Sequence, residues 1–296
     1  MTSSRNPVDP RYVQARRVLL DVLGELSEHS SAIIITGAQA VYLRTGETDL
    51  AVAPYTTDGD LAVDPRLLSD EPTLELAMTR AGLSLKGLST GQVQPGTWVV
   101  KVQFGEVDGD VPIDLLVPQA LVSGKSRGAN LGVHGRRAAR TVPGIEAVLL
   151  DHSVMHVTAL EPDDQRSVEV NVAGPTALLL AKAHKIADRY ESGKPHRLVD
   201  KDASDVVRLM QTSDPTLVAQ TLHRLTRDEV AGASATRGLQ LLSELFGRRG
   251  RVGITMATRA LEFALPSAAI EVLCVSYLER MTTALSELNA GLFHDQ

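Results

Sequence analysis

The sequence predicts an α/β protein: a mixed sheet with flanking helices over residues 1–172, followed by an all-α domain over residues 173–296. Three observations carry this. Short β-branched runs alternate with helical patterns through the first part. Beyond Gly174-Pro175, apolar residues recur at three- and four-residue spacing almost to the end. A length of 296 residues also exceeds what one average domain needs.

The elements follow in order. Residues 11–28 set Val13, Val18, Leu19, Leu20, Val22, Leu23 and Leu26 on one helical stripe. Residues 32–36 are a β-branched run ending at Gly37, and 38–44 read as a helix, so a strand, a glycine turn and a helix succeed one another. Residues 61–63 read as part of a strand behind Asp58-Gly59-Asp60, and 65–81 as helix. Residues 98–104 and 111–117 predict a hairpin about the turn-rich stretch 105–110, and 154–160 and 167–172 two further strands. Helices are predicted over 176–190, 201–210, 215–225, 229–246, 254–263 and 268–288.

Composition bounds the function. With 43% hydrophobic and 22% charged residues, the chain is neither wholly disordered nor collagen-like. Its longest apolar runs, 32–35 and 177–181, fall far short of the roughly 20 residues that span a bilayer. Residues 1–10 are polar and lack the apolar segment of a secretory signal. The single Cys274 can form neither an internal disulfide nor, alone, a zinc site. A cytoplasmic protein with no membrane partner is expected. The net charge of −6 argues against a globally basic nucleic-acid coat, but it is unevenly spread: residues 1–172 carry 15 Lys+Arg against 22 Asp+Glu, and 173–296 carry 15 against 14.

Asp58 and Asp60 lie one residue apart at the start of a strand, where alternation turns both side chains to one face. Paired carboxylates repel unless a cation sits between them, and Mg²⁺ is commonly held by one or two carboxylates with substrate phosphates. Asp114, inserted in the apolar run 111–117, is the third acid expected in this sheet and the third candidate metal ligand. Such acids also occur as turn caps or at exposed strand edges.

Farther on, Lys182, Lys185 and Arg189 share one helix face by their spacing. They read either as a solvated basic stripe or as the cations that offset a triphosphate. Asp202 and Asp205 follow at the opening of the next helix, as caps or as a second acidic motif.

The run into Gly37-Ala38, the Asp58/Asp60 pair and the later acid together resemble the nucleotidyltransferase superfamily. In this chain Ala38 stands where a second Gly or a Ser is usual, and backbone amides at a helix N-terminus can serve a phosphate in its place. Lys182 with Arg189, then Lys201-Asp202 and Asp205, are similar to the later motifs of the AbiEii-type and MenT-like nucleotidyltransferase toxins. The resemblance spans residues 37–205. It implies a nucleotidyltransferase fold, and a toxin–antitoxin enzyme that takes a nucleoside triphosphate and, with Mg²⁺, transfers NMP to the 3′ acceptor end of tRNA. Aminoacylation and translation would stop, and a cognate antitoxin would be the partner. It further implies that Asp58, Asp60, Lys182 and Asp202 are catalytic, with Asp58, Asp60 and Asp114 on the metal. Gly37, Ala38, Lys182, Lys185 and Arg189 would bind the nucleotide, and the helical domain would complete the site. Thr56 and Thr57, just before the acidic pair, are a conceivable modification point.

RNA contact is expected along 123–140, where Lys125, Arg127, Arg136, Arg137 and Arg140 occur with no acid and four glycines, in what reads as a flexible basic loop. Aromatic residues for base stacking are absent there. Rival readings keep the fold and transfer the nucleotide to a protein or small-molecule hydroxyl, or leave a non-catalytic RNA-binding module.

Overall fold

The computed structural model describes residues 9–46, 55–104, 107–124, 126–194 and 198–291. The described residues in Met1–Leu43, Ala53–Val142 and Ser153–Val172 make one compact unit, and those in Arg44–Val52, Pro143–His152 and Ala173–Gln296 a second.

The first unit is built on an eight-stranded mixed sheet. Its strands are β1 (Ile33–Thr36), β2 (Gly59–Val63), β3 (Ser84–Gly87), β4 (Val93–Phe104), β5 (Val107–Pro118), β6 (Arg140–Val142), β7 (His152–Thr158) and β8 (Ser167–Ala173). The order is β3-β4-β5-β2-β1-β8-β7, with β6 alongside β5. β1 runs antiparallel to β2, β2 parallel to β5, and β1 parallel to β8. The β4–β5 hairpin pairs Thr97 with Asp114 through to Phe104 with Val107.

The central strands are apolar because one face is covered by helix α1 (Pro10–Glu25), whose Val18, Leu19 and Leu20 are buried. Leu19 and Ile113 crowd the bare Cα of Gly59, which places Gly59, Leu61, Ile113 and Leu115 on the α1 side. Strand alternation then turns Asp60 and Asp114 to the opposite face.

Besides strand β3, two features depart from the sequence reading of this unit. Helix α3 covers only Leu74–Arg80, whereas 65–81 reads as one helix. Pro72 blocks helical continuation, and the Thr73 hydroxyl caps the helix by accepting from the Leu76 amide at 3.3 Å. The second is 123–140, read as a flexible basic loop. It contains a 3₁₀ turn, Gly132–His134, and leads into β6, with Ala129, Leu131, His134, Ala138 and Ala139 buried. β6 can pair with β5 because Gly96, at φ +71°, turns β4 aside. A Cβ there would stand 2.4 Å from the Arg140 nitrogen.

The second unit is helical: α4 (Pro175–Glu191), α5 (Asp200–Thr212), α6 (Pro215–Leu225), α7 (Gly232–Phe246), α8 (Val252–Ala260) and α9 (Ser267–Asn289). Helix α7 begins at Gly232 instead of 229, because Asp228 folds back to accept from the Val230 and Ala231 amides, both at 2.8 Å. Among the described residues no helix is long and apolar enough to cross a membrane.

Candidate functional site

Strand register assembles a polar row on the sheet face away from α1. Thr36 pairs with Asp60, Asp60 with Asp114, and Asp114 with Thr97, across four adjacent strands. Gly37 follows Thr36 at φ +67° and opens α2 (Gly37–Thr45). A Cβ on Gly37 would lie 2.0 Å from Oδ2 of Asp60, so only glycine lets the start of α2 approach that carboxylate. Ala38 is buried behind it. The Thr36 hydroxyl is buried with no hydrogen-bond partner among the described residues.

Asp58 stands just before β2, half-buried, and its Oδ1 accepts from the Thr56 hydroxyl. Its backbone carbonyl accepts from Gln39 Nε2 at 3.1 Å. The Gln39 amide is oriented in turn by Arg16, whose Nε donates to Oε1 at 3.0 Å. The buried Arg16 also donates to the Thr158 carbonyl and the Tyr12 hydroxyl. Thus α1 and α2 together hold the peptide that carries Asp58.

Both oxygens of Asp114 have partners in the fold. Oδ1 accepts from Thr97 Oγ1 at 2.6 Å and Oδ2 from Arg140 Nη2 at 2.5 Å. Among the described residues no three His, Cys, Asp or Glu side chains group so as to hold one metal ion. Mg²⁺ does not demand such a cage, since one or two carboxylates completed by water and phosphate suffice. The oxygen donors such an arrangement would draw on are Asp60, the Thr36 hydroxyl in register with it, and Asp58 two positions earlier in the chain.

The second unit holds the cationic motif. Lys182 lies on α4 with 3% of its surface exposed, and its Nζ donates to Oδ1 of Asp202 at 2.8 Å and Oδ2 of Asp205 at 2.6 Å. Asp202 is also reached by Lys185 at 3.1 Å and by Arg189 at 2.6 Å, while Lys201 stands 3.8 Å from Asp205. Asp202 and Asp205 therefore do not cap α5; their side chains cross to α4, and the N-cap residue Val199 makes no side-chain cap bond. Burial is the largest influence on Lys182 and by itself lowers its pKa, but the two carboxylates outweigh it and hold the ammonium well above the ordinary lysine range. Burial likewise works to raise the pKa of Asp202, yet Lys182, Lys185 and Arg189 keep it far below the usual carboxylate range. Four cations against two acids leave the cluster net positive. Lys185, Lys201 and Arg189 are its more exposed members, with side-chain exposures of 40%, 32% and 25%.

Of the residues expected to meet RNA, Arg127, Arg136 and Arg137 are exposed, Arg140 is half-buried in β6, and Lys125 lies outside the described residues. Sequence reasoning missed Thr36, Thr97, Gln39 and Arg16. Thr36 and Thr97 carry a faint signal as hydroxyls closing or interrupting apolar strands, whereas Gln39 and Arg16 look like ordinary surface positions of amphipathic helices. Compared with known proteins, the chain matches no family model, no curated protein and no solved structure.

Proposed function

We propose that the chain is a toxin-type nucleotidyltransferase that takes NMP from a nucleoside triphosphate and joins it to the 3′ acceptor end of tRNA, with release of pyrophosphate. The observation that carries this reading is the β1–β2–β5 register, which sets Asp60 beside Asp114 and directly against the Gly37 start of α2. A carboxylate beside the N-terminal amides of a helix is electrostatically favoured in itself; in this reading a bound cation lets it share those amides with a phosphate of the substrate.

In this reading Asp58 and Asp60 hold Mg²⁺, which when bound offsets the charge of the polyphosphate and of the leaving pyrophosphate. The amides at Gly37 and Ala38 face the phosphates. The resemblance assigns Lys182, Lys185 and Arg189 of the helical unit to the polyphosphate tail; Lys185 and Arg189 are partly exposed, and buried Lys182 anchors the cluster through Asp202 and Asp205. Arg127, Arg136 and Arg137 offer phosphate contacts to RNA. A cognate antitoxin is the implied partner, and the cytoplasm the implied compartment.

The test incubates the full chain with each labelled nucleoside triphosphate, Mg²⁺ and total tRNA. Label should enter RNA with at least one nucleotide, and Asp60→Asn should lower incorporation by about a thousandfold, the scale of losing a group that stabilises transition-state charge. Label in protein or in a small hydroxylated acceptor instead would change the acceptor and keep the chemistry. RNA binding that ignores Mg²⁺ and nucleotide, without turnover, would leave a binding module and end the enzymatic reading.

A further inference from the structure

Asp114 is a metal ligand by the resemblance, yet both of its oxygens are engaged by neighbouring side chains, Thr97 and Arg140. Gln94 extends this chain by donating to Thr97 at 2.9 Å. Arg140, for its part, is placed by the backbone on several sides. It pairs in register with Leu116 of β5, its nitrogen packs against the bare Cα of Gly96, and it bridges Gly128. Its immediate approach is tied as well, by Trp98 Nε1 donating to the Ala138 carbonyl at 2.8 Å and the Gly96 amide donating to the Arg137 carbonyl at 2.9 Å. An arginine fixed this closely differs from the exposed Arg136 and Arg137 beside it.

The guanidinium is not spent by these contacts. Nη2 serves Asp114, Nε is buried with no partner among the described residues, and about a fifth of the side chain (22%) stays exposed. A half-buried ion pair gains little stability after desolvation, and leaving a buried N–H unpaired costs more. A planar guanidinium locked by one carboxylate keeps further N–H donors in a fixed plane, which suits the oxygens of a phosphate.

We propose that Asp114 is a positioning residue that holds the Arg140 guanidinium on the sheet face of Thr36 and Asp60, and that Arg140 binds a phosphate group brought to that face. The identity of that phosphate, nucleotide tail or acceptor backbone, rests on the transferase reading; the binding itself does not.

The experiment measures calorimetric binding of inorganic tripolyphosphate and of a short RNA oligonucleotide to the full chain. Mn²⁺ binding is followed separately by electron paramagnetic resonance. Arg140→Ala and Asp114→Asn should each weaken at least one phosphate probe by about tenfold, as expected for one charge-assisted contact. The double variant should be no weaker than Arg140→Ala alone, because the two act as one unit. Arg140→Lys keeps the charge and, should the other variants melt early, supplies the same test, with affinity falling because a point charge replaces a fixed fork. Mn²⁺ binding should survive in Asp114→Asn and be lost in Asp60→Asn. Weakening of tripolyphosphate assigns Arg140 to the nucleotide tail, and weakening of the oligonucleotide alone assigns it to the acceptor. The proposal is overturned if the Arg140 variants bind both probes as the unaltered chain does, or if Asp114→Asn abolishes Mn²⁺ binding while Arg140→Ala retains it. Failure of the unaltered chain to bind Mn²⁺ would instead remove the metal from the transferase reading, since the phosphate arm needs none.

Discussion

Lys182 is a cation taken almost wholly out of water, a state several kcal/mol unfavourable unless its partners are placed well. Asp202 and Asp205 supply that placement at 2.8 and 2.6 Å, so truncating the lysine removes the shortest ion pair of buried Asp205 and one of the three cations on Asp202. Lys182→Met should cost about 3–5 kcal/mol in urea unfolding. The pH dependence follows from the two shifts. The contribution of Asp202, with its folded pKa depressed, is present above the unfolded value of about 3.9 and lost as pH falls through the folded one. That of Lys182, with its folded pKa raised, is present below about 10.4 and lost as pH rises through the folded one. The urea midpoint should hold between these limits, and the alkaline fall should be shallower in Lys182→Met. At Gly37 the argument is steric: a methyl group there meets Asp60 and is strained at φ +67°. Gly37→Ala should cost about 1–3 kcal/mol by thermal melting and weaken Mn²⁺ binding with it.

Elements with strong internal periodicity were legible in the sequence, and those made by distant pairing were not. Helices α4, α5, α6 and α9 lie within a few residues of where their apolar spacing puts them. β3 and β6 escaped notice because Ser84–Gly87 and Arg140–Val142 are short and half polar; they are strands only because β4 and β5 offer them a ladder. The carboxylates were found by pattern, but the partners of Asp114 were not, since Thr97 and Arg140 come from other strands. The spacing of Lys182, Lys185 and Arg189 shows a shared face, and nothing local shows that Asp202 turns away from its own helix end to meet them. The start of α4 depends on a distant residue too. Asp151 accepts from the Ala177 amide at 2.8 Å, a task the N-cap Gly174 has no side chain to perform. Asp151→Ala should lower stability by about 1 kcal/mol, with hydrogen exchange accelerating first at the Thr176 and Ala177 amides.

At the scale of the whole molecule, the division into two compact units raises the question of whether they unfold together. Cys274 offers a natural reporter for the helical unit. It is fully buried on α9, and burial pushes its thiol up to about 12. At pH 8 a disulfide reagent should therefore label the native protein roughly a hundredfold more slowly than the urea-unfolded chain, because both thiolate and access are withheld. A labelling midpoint in urea that coincides with loss of Trp98 fluorescence, which reports the sheet, would show a single transition. Separated midpoints would show two.

The sheet register also has a temporal side. Thr36 meets Asp60, Asp60 meets Asp114, and Ile34 meets Asn171, each across a wide interval of chain, and the β2–β5 contact is parallel. Such contacts close late, since the loop entropy must be lost before the pairing is gained. During synthesis the polypeptide would pass through lengths at which the first two acids exist and the third has not emerged. A ribosome-bound or prematurely ended chain would then lack the completed row, so whatever chemistry that row supports waits until the chain has folded.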